Sequence, residues 1–258
     1  MKLTRRGLIT GGAAVLACSR AMPSTPACTL AAEQESGPYY LRYENLRSDI
    51  TEGRPGVPLK LRIALVDARR CAPLPNAALD IWHCDAMGVY SGFTANNPDG
   101  RPGGRGPRGR GPAGLGFGPP GGPPPARRTD ETRFLRGVQM TGQDGIAEFA
   151  TICPGWYVGR TIHIHLKVHL GGHVSHTGQV FLPEEFTEQV AKIEPYAKRL
   201  NVHRTLQRED GIFNGQHGAD SLVDLHRLGG TNSDGFLATV MLAVDPEATP
   251  PPAGHGRE

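Results

Sequence analysis

The sequence predicts an all-β protein, a β-sandwich of mostly antiparallel strands with a short helix and long loops. Three observations carry this prediction. Glycine (35) and proline (23) are abundant among the 258 residues, so turns are frequent. Few segments sustain the 3.6-residue apolar period of a helix. Seven or so short runs lie between turn signals and alternate apolar with polar residues, the pattern of two packed antiparallel sheets.

Taken in order, the chain opens on a leader. Thr4-Arg5-Arg6-Gly7-Leu8-Ile9 precedes a short apolar run and small residues, the plan of an export signal, and the adjacent arginines resemble a twin-arginine signal. The expected location is therefore periplasmic or extracellular. Val15-Leu16-Ala17-Cys18 leaves open a lipid anchor at Cys18. Residues 1–27 read as export signal and linker, with linker-like composition running on to residue 35. Gly37-Pro38-Tyr39-Tyr40 marks the first ordered turn of a domain spanning 28–246.

Leu59, Leu61, Ile63 and Leu65 alternate with Lys60, Arg62 and Ala64 in a half-buried strand. A turn at 69–76 leads to a strand over Ala77–His83. Asp85-Ala86-Met87-Gly88-Val89-Tyr90 runs off its end and sets Tyr90 in a loop at a strand terminus. Residues 101–126 hold 10 glycines and 8 prolines, a composition that buries too little surface to offset ordering entropy, and read as a low-complexity insertion. Gly137–Met140 and Ile146–Thr151 read as a hairpin around Asp144-Gly145. A strand follows at 162–169 and another over Thr177–Leu182. Pro183-Glu184-Glu185 opens a short helix, with acids in its first turn. Phe236–Val244 closes the fold, and 247–258 read as a disordered tail.

Charge excludes one class of partner. The formal net charge is +3, with 28 basic and 25 acidic residues. Without the leader cations Lys2, Arg5 and Arg6 the two are equal. Six of the remaining basic residues lie between Arg101 and Arg128, in a stretch without an acid. The folded part is thus acidic, and nucleic acid is not an expected partner. Past the leader, Cys28, Cys71, Cys84 and Cys153 allow two disulfides in three pairings, or four buried thiols. Cys71 and Cys84 flank a turn and a strand and can come close. A homodimer is left open.

The strand at 162–169 carries the chemistry. Ile162, Ile164, Leu166 and Val168 share one face; His163, His165, Lys167 and His169 share the other. Two imidazoles stand about 6–7 Å apart along that face, with Tyr157 six residues upstream. Together with Tyr90 they make a set of two phenols and two imidazoles. A phenol ionises near pH 10 in water, so a site that holds two phenolates at neutral pH calls for a strongly acidic cation such as Fe(III).

Three stretches, in this order, resemble the intradiol ring-cleavage dioxygenases: Asp80-Ile81-Trp82-His83-Cys84-Asp85-Ala86-Met87-Gly88-Val89-Tyr90, Pro154-Gly155-Trp156-Tyr157 and Arg160-Thr161-Ile162-His163-Ile164-His165. Gly37-Pro38-Tyr39-Tyr40 and Thr177-Gly178-Gln179-Val180-Phe181 fit the same pattern, and the likeness is greatest to exported single-domain bacterial members. The resemblance implies non-haem Fe(III) held by Tyr90, Tyr157, His163 and His165. It implies a catechol-type substrate, cleaved by O2 between its hydroxyl-bearing carbons to a muconate-type diacid. It also implies that Tyr157 leaves the metal as the substrate binds, that Arg160 steadies charge developing on the substrate, and that Gln179 supports the oxygen site. Tyr39 or Tyr40 would line the pocket. Only five residues separate Tyr157 from His163, fewer than in the protocatechuate enzymes, which shortens one pocket wall. Two other readings compete: a non-catalytic cell-surface module binding polyphenol or carbohydrate, and a zinc or copper site using His169. His83, His173 and His176 read as surface or loop residues.

Overall fold

A computed structural model describes residues 28–42, 45–99 and 125–250. The leader, the insertion up to residue 124 and the tail beyond residue 250 lie outside the described residues. Two sheets face one another, as the alternating runs predict. The first is built on β1 (Pro58–Asp67), which pairs along one side with β5 (Ile146–Ile152) and with the two-residue β2 (Ala72–Pro73). On its other side β1 meets β9 (Phe236–Val244) in parallel, and β8 (Asp224–Arg227) completes that edge. The second sheet has the order β4 (Arg136–Met140), β3 (Ala78–Trp82), β6 (His163–Leu170), β7 (His173–Phe181), all antiparallel.

The alternation in β1 sends Leu59, Leu61, Ile63 and Leu65 inward, each at most 2% exposed. They meet Leu79 and Ile81 of β3 and Ile164, Leu166 and Val168 of β6 in one apolar cluster. Each such side chain contributes roughly 1.5–3 kcal/mol of burial free energy. The short helix is α1 (Glu184–Val190), and a second, α2 (Gly211–Gly215), is capped by Asp210. Among the described residues no helix is long and apolar enough to cross a membrane.

Four expectations are corrected. The Asp144-Gly145 turn is present, with Gly145 at φ +74°, but β4 and β5 do not form a hairpin. β4 pairs with β3 and β5 with β1, so the turn carries the chain from one sheet to the other. A tight turn fixes a reversal; it does not fix which neighbour completes the ladder. Residues 28–35 are no linker. They lie on the sandwich through the Leu30–Ala243 bridge and a bond from Gln34 N to Thr177 O (2.8 Å). Cys28 is bonded to Cys71, while Cys84 and Cys153 are buried free thiols, so Cys71 and Cys84 do not pair. Finally, His83 and His176 are interior residues. His83 bonds Cys84 O (2.8 Å) and Thr151 Oγ1 (2.7 Å), and His176 Nδ1 meets Glu33 (2.6 Å).

Candidate metal centre

The outer face of the second sheet is as buried as the inner one. His163 and His165 are each 2% exposed because two segments cover them: the N-terminal strap 28–42 and the loop that follows β3. The register sets Trp82 of β3 and Gln179 of β7 on either side of His165, and Phe181 beside His163. The Trp82 indole stacks on the His165 ring, centroids 5.0 Å apart and planes 3° from parallel, and so fixes the imidazole plane.

Tyr90 is delivered by a tight loop. Asp85 Oδ1 accepts from Met87 N (2.9 Å) and Val89 N (3.0 Å), while Arg54 pairs with the same carboxylate. Gly88, at φ +80°, passes so close to the Trp156 carbonyl that a Cβ would lie 2.3 Å from its oxygen. Buried Arg136 then holds Ser91 through Oγ (2.8 Å) and O (2.9 Å). Tyr157 sits on the turn before β6, where Trp156 is anchored by a bond to Val202 O (3.1 Å). The strap closes the site. Gly37, at φ +66°, lies where a Cβ would come within 3.2 Å of His165 Cε1, and Tyr39 stacks on Tyr90 at 4.6 Å.

Four side chains converge in this pocket. Tyr157 Oη lies 3.2 Å from His163 Nε2, and His163 Nε2 lies 3.0 Å from His165 Nε2. The Tyr90 ring is 5.8 Å from that of Tyr157 and 6.3 Å from that of His165. His163 Nδ1 is 2.6 Å from the Thr161 carbonyl, which can only accept, so Nδ1 carries the proton and the Nε2 lone pair points into the cluster. Tyr90 Oη is buried and, among the described residues, no group meets it in hydrogen-bonding geometry, a costly arrangement unless something else meets it. Burial, and after it the Tyr157 phenol, pushes the Tyr90 phenol well above its usual range. Burial also raises Tyr157, against the pull of Arg160. It holds both imidazoles neutral: Arg160 adds to the effect at His163, and His163 adds to it at His165. Among the described residues no three of His, Cys, Asp or Glu form a metal-binding group; the histidines reach four donors only through the tyrosines.

Arg160 stands beside this cluster in a network absent from the sequence reading. Its Nε meets Asp210 (3.0 and 3.2 Å), its Nη2 meets Gln179 Oε1 (2.5 Å), and its Nη1 lies 3.7 Å from Glu35. Gln179 Nε2 donates to Glu35 O (2.8 Å). Asp210 is fully buried, accepts from Thr161 N (2.9 Å) and caps α2 through Ile212 N and Phe213 N. Its folded pKa is lowered by Arg160 and the amide bonds despite the opposing effect of burial.

Most residues expected at the site are together there: Tyr39, Tyr90, Tyr157, Arg160, His163, His165 and Gln179. Tyr40 is not. It packs on Trp82 at 4.8 Å and under Lys167 Nζ at 3.9 Å, in the wall of a different cavity that also holds His169. A narrow crevice lined by Tyr39, Tyr90, Phe93, Asn96, Pro98 and Tyr157 reaches the two phenols. Its volume, ≈ 10 Å³, is room for about one water.

No protein-family model and no curated protein matches the chain. Solved structures do. An intradiol ring-cleavage dioxygenase from Tetranychus urticae is 30% identical over 85% of this chain and 96% of its own, with a TM-score of 0.70. The dioxygenase domain of a dioxygenase–carbohydrate-binding fusion from the cellulolytic bacterium Streptomyces sp. SirexAA-E is 26% identical over 84% of this chain and 99% of its own, at 0.54. The 3-chlorocatechol 1,2-dioxygenase of Rhodococcus opacus 1CP shares the fold: 18% identity, 84% of this chain, 72% of its own, 0.52. The protein is thus a β-sandwich oxidoreductase of the dioxygenase class. It belongs to the intradiol ring-cleavage dioxygenase family. The non-catalytic binding module is set aside.

Proposed function

We propose that the enzyme is a non-haem Fe(III) intradiol dioxygenase that cleaves a catechol-type diol with O2, between the hydroxyl-bearing carbons, to a muconate-type diacid. The observation that carries this is the convergence of two phenols and two neutral imidazoles, with the buried Tyr90 hydroxyl unpartnered among the described residues. That donor set fits ferric iron. Two phenols whose ionisation burial opposes need a strongly acidic cation, and two phenolates leave a ferric ion with one positive charge. Tyr90, Tyr157, His163 and His165 would hold it. When bound, iron would supply a Lewis acid that favours ionised catechol hydroxyls and an electron-rich ring able to meet O2.

The chain's own residues do the rest. Tyr157 sits on the turn before β6, bridged through its backbone to Arg160, and at 8% exposure it is the least covered of the four. Its side chain can swing toward solvent by rotation alone, which opens the narrow crevice to a ring. Tyr157 Oη then takes the proton of a substrate hydroxyl and keeps it, since a phenol ordinarily ionises only near pH 10. Tyr39 and Phe93 flank the ring, and the crevice excludes bulk water. Arg160, held on three sides, presents a fixed positive charge to anion growing on the substrate.

We also propose that the chain acts outside the cytoplasm. The leader supports this, and so does the Cys28–Cys71 disulfide, a bond that persists in oxidising compartments. The visible spectrum of purified protein, before and after anaerobic addition of catechol, tests the site. A red-brown tyrosinate band that shifts with catechol is the expected result, at about one iron per chain. Colourless protein made with ample iron, or a semialdehyde product, would refute the proposal.

A further inference from the structure

The backbone around Tyr157 is held from both sides. The carbonyl of Trp156, just before it, accepts from Arg199 Nη2 (2.9 Å), and the amide of Val158, just after it, donates to Pro98 O (3.3 Å). The same Arg199 nitrogen donates to Asp99 Oδ1 (2.7 Å). Asn96, Asn97 and Pro98 form one wall of the crevice, and Tyr157 stands in the other. Two links therefore cross from wall to wall, one direct and one relayed by a single guanidinium nitrogen. The relayed link is the stronger, because its contacts are short and charge-assisted. Arg199 belongs to the Tyr157 side. It is 4% exposed, and its guanidinium lies 5.7 Å from the Trp156 ring. Val202 N donates to Arg199 O (2.8 Å), while Val202 O accepts from the Trp156 indole (3.1 Å). Asp99 belongs to the other wall; its side chain is 45% exposed, and it lies outside every strand and helix.

We infer that Arg199 and Asp99 form a clasp that sets the width of the crevice, and with it the size of catechol the enzyme accepts. Both are positioning residues: neither lines the crevice, and each acts through the wall it holds. At ≈ 10 Å³ the closed crevice has no room for a ring. Rotation of the Tyr157 side chain opens one wall, and the clasp then fixes how far the opposite wall stands off. The backbone beneath Tyr157 stays in place during that rotation, because Arg199 grips the carbonyl of its neighbour rather than the phenol. The size of the substrate enters only through the function proposed above; the clasp itself does not rest on it.

The test uses Asp99→Ala in the full chain, since removing a half-exposed side chain leaves the Trp156 side intact. Hydrogen exchange reads the clasp with or without metal. The Val158 amide is expected to exchange at least about tenfold faster, while the Gln34 amide, bonded to Thr177 O, keeps its rate. Catechol and 4-tert-butylcatechol then read the width. The ratio of their kcat/KM values is expected to move at least about tenfold toward the bulkier substrate, the scale on which a pocket discriminates one methylene group. Iron per chain and the visible band should stay as in the parent, because no metal donor is touched. Asp99→Asn keeps an oxygen for Arg199 and should reverse most of both effects. Lys198→Ala, at an exposed neighbouring position, should show neither. The inference is overturned if Val158 keeps its rate in Asp99→Ala, or if the substrate ratio does not move. A parent protein without iron or without turnover of any catechol would instead refute the proposed function, and the exchange result would still decide the clasp.

Discussion

The two faces of β6 are equally buried and are buried by different means. Ile164, Leu166 and Val168 on the inner face meet other apolar side chains of the sandwich. His163, His165 and Lys167 on the outer face are covered by segments far away in sequence, and aromatic rings such as Trp82, Phe181 and Tyr40 lie against them. Inner-face contacts are many, weak and interchangeable. Outer-face polar contacts are few and individually required, because a buried donor or acceptor that loses its partner carries the full cost of desolvation. The same strand therefore carries a tolerant side and an exacting side.

The sharpest way to break the comparison is on the exacting side. His163→Ala should cost iron, colour and activity together. The loss should exceed the roughly 10–100-fold that altering an outer partner of a ligand costs. Iron content by elemental analysis, read with turnover, checks this; retained iron would remove His163 from the donor set. Asp210→Ala comes next. It strands the Arg160 charge in the interior and removes the α2 cap, so unfolding in urea should show a loss of about 3–5 kcal/mol. Turnover should fall as well, since Arg160 loses the carboxylate that aims it.

A third effect follows pH. Burial lowers His83 to about 4, so the unfolded chain takes up this proton near pH 6.5 while the folded chain does not. Stability should therefore fall as pH drops from about 6.5 to about 4, by up to roughly 3 kcal/mol from this group. Asp210, whose folded pKa is depressed, adds a further loss below its ordinary range near pH 4. Urea midpoints for the parent and His83→Gln across pH 4–8 isolate the His83 share, since the variant should lose less stability over that window while His163 and His165, also held neutral by burial, keep theirs. The smallest effect belongs to the tolerant side. Ile164→Val should cost about 0.5–1.5 kcal/mol and leave iron content and visible spectrum unchanged. A lost spectrum there would show that the two faces are not independent.

Sequence alone made the strand and its two faces legible, because alternation in β6 is strict and the tyrosines and histidines fall in a recognisable order. It missed Asp210 and Glu35, which reach Arg160 from 50 residues after it and 125 before it. No local pattern marks an acid that will face a particular arginine. It placed His83 and His176 outside, since a buried imidazole is betrayed only by partners such as Thr151 and Glu33, distant in sequence. It joined β4 to β5 because an Asp-Gly turn states a reversal and leaves the sheet unstated. Tyr39 and Tyr40 were indistinguishable as neighbours; the turn at 38–39 sends one onto Tyr90 and the other onto Trp82.

The Cys28–Cys71 bond has a consequence for how the protein breathes. The strap is attached at its far end by Tyr39 on Tyr90 and in its middle by bonds from Glu33, Gln34 and Glu35. With Cys28 fastened as well, the segment cannot peel from its end, so its amides should exchange with solvent only through larger, rarer openings. Reduction frees that end. Exchange should then quicken first near Leu30 and last near Gly37, a gradient along one segment while the two sheets keep their protection.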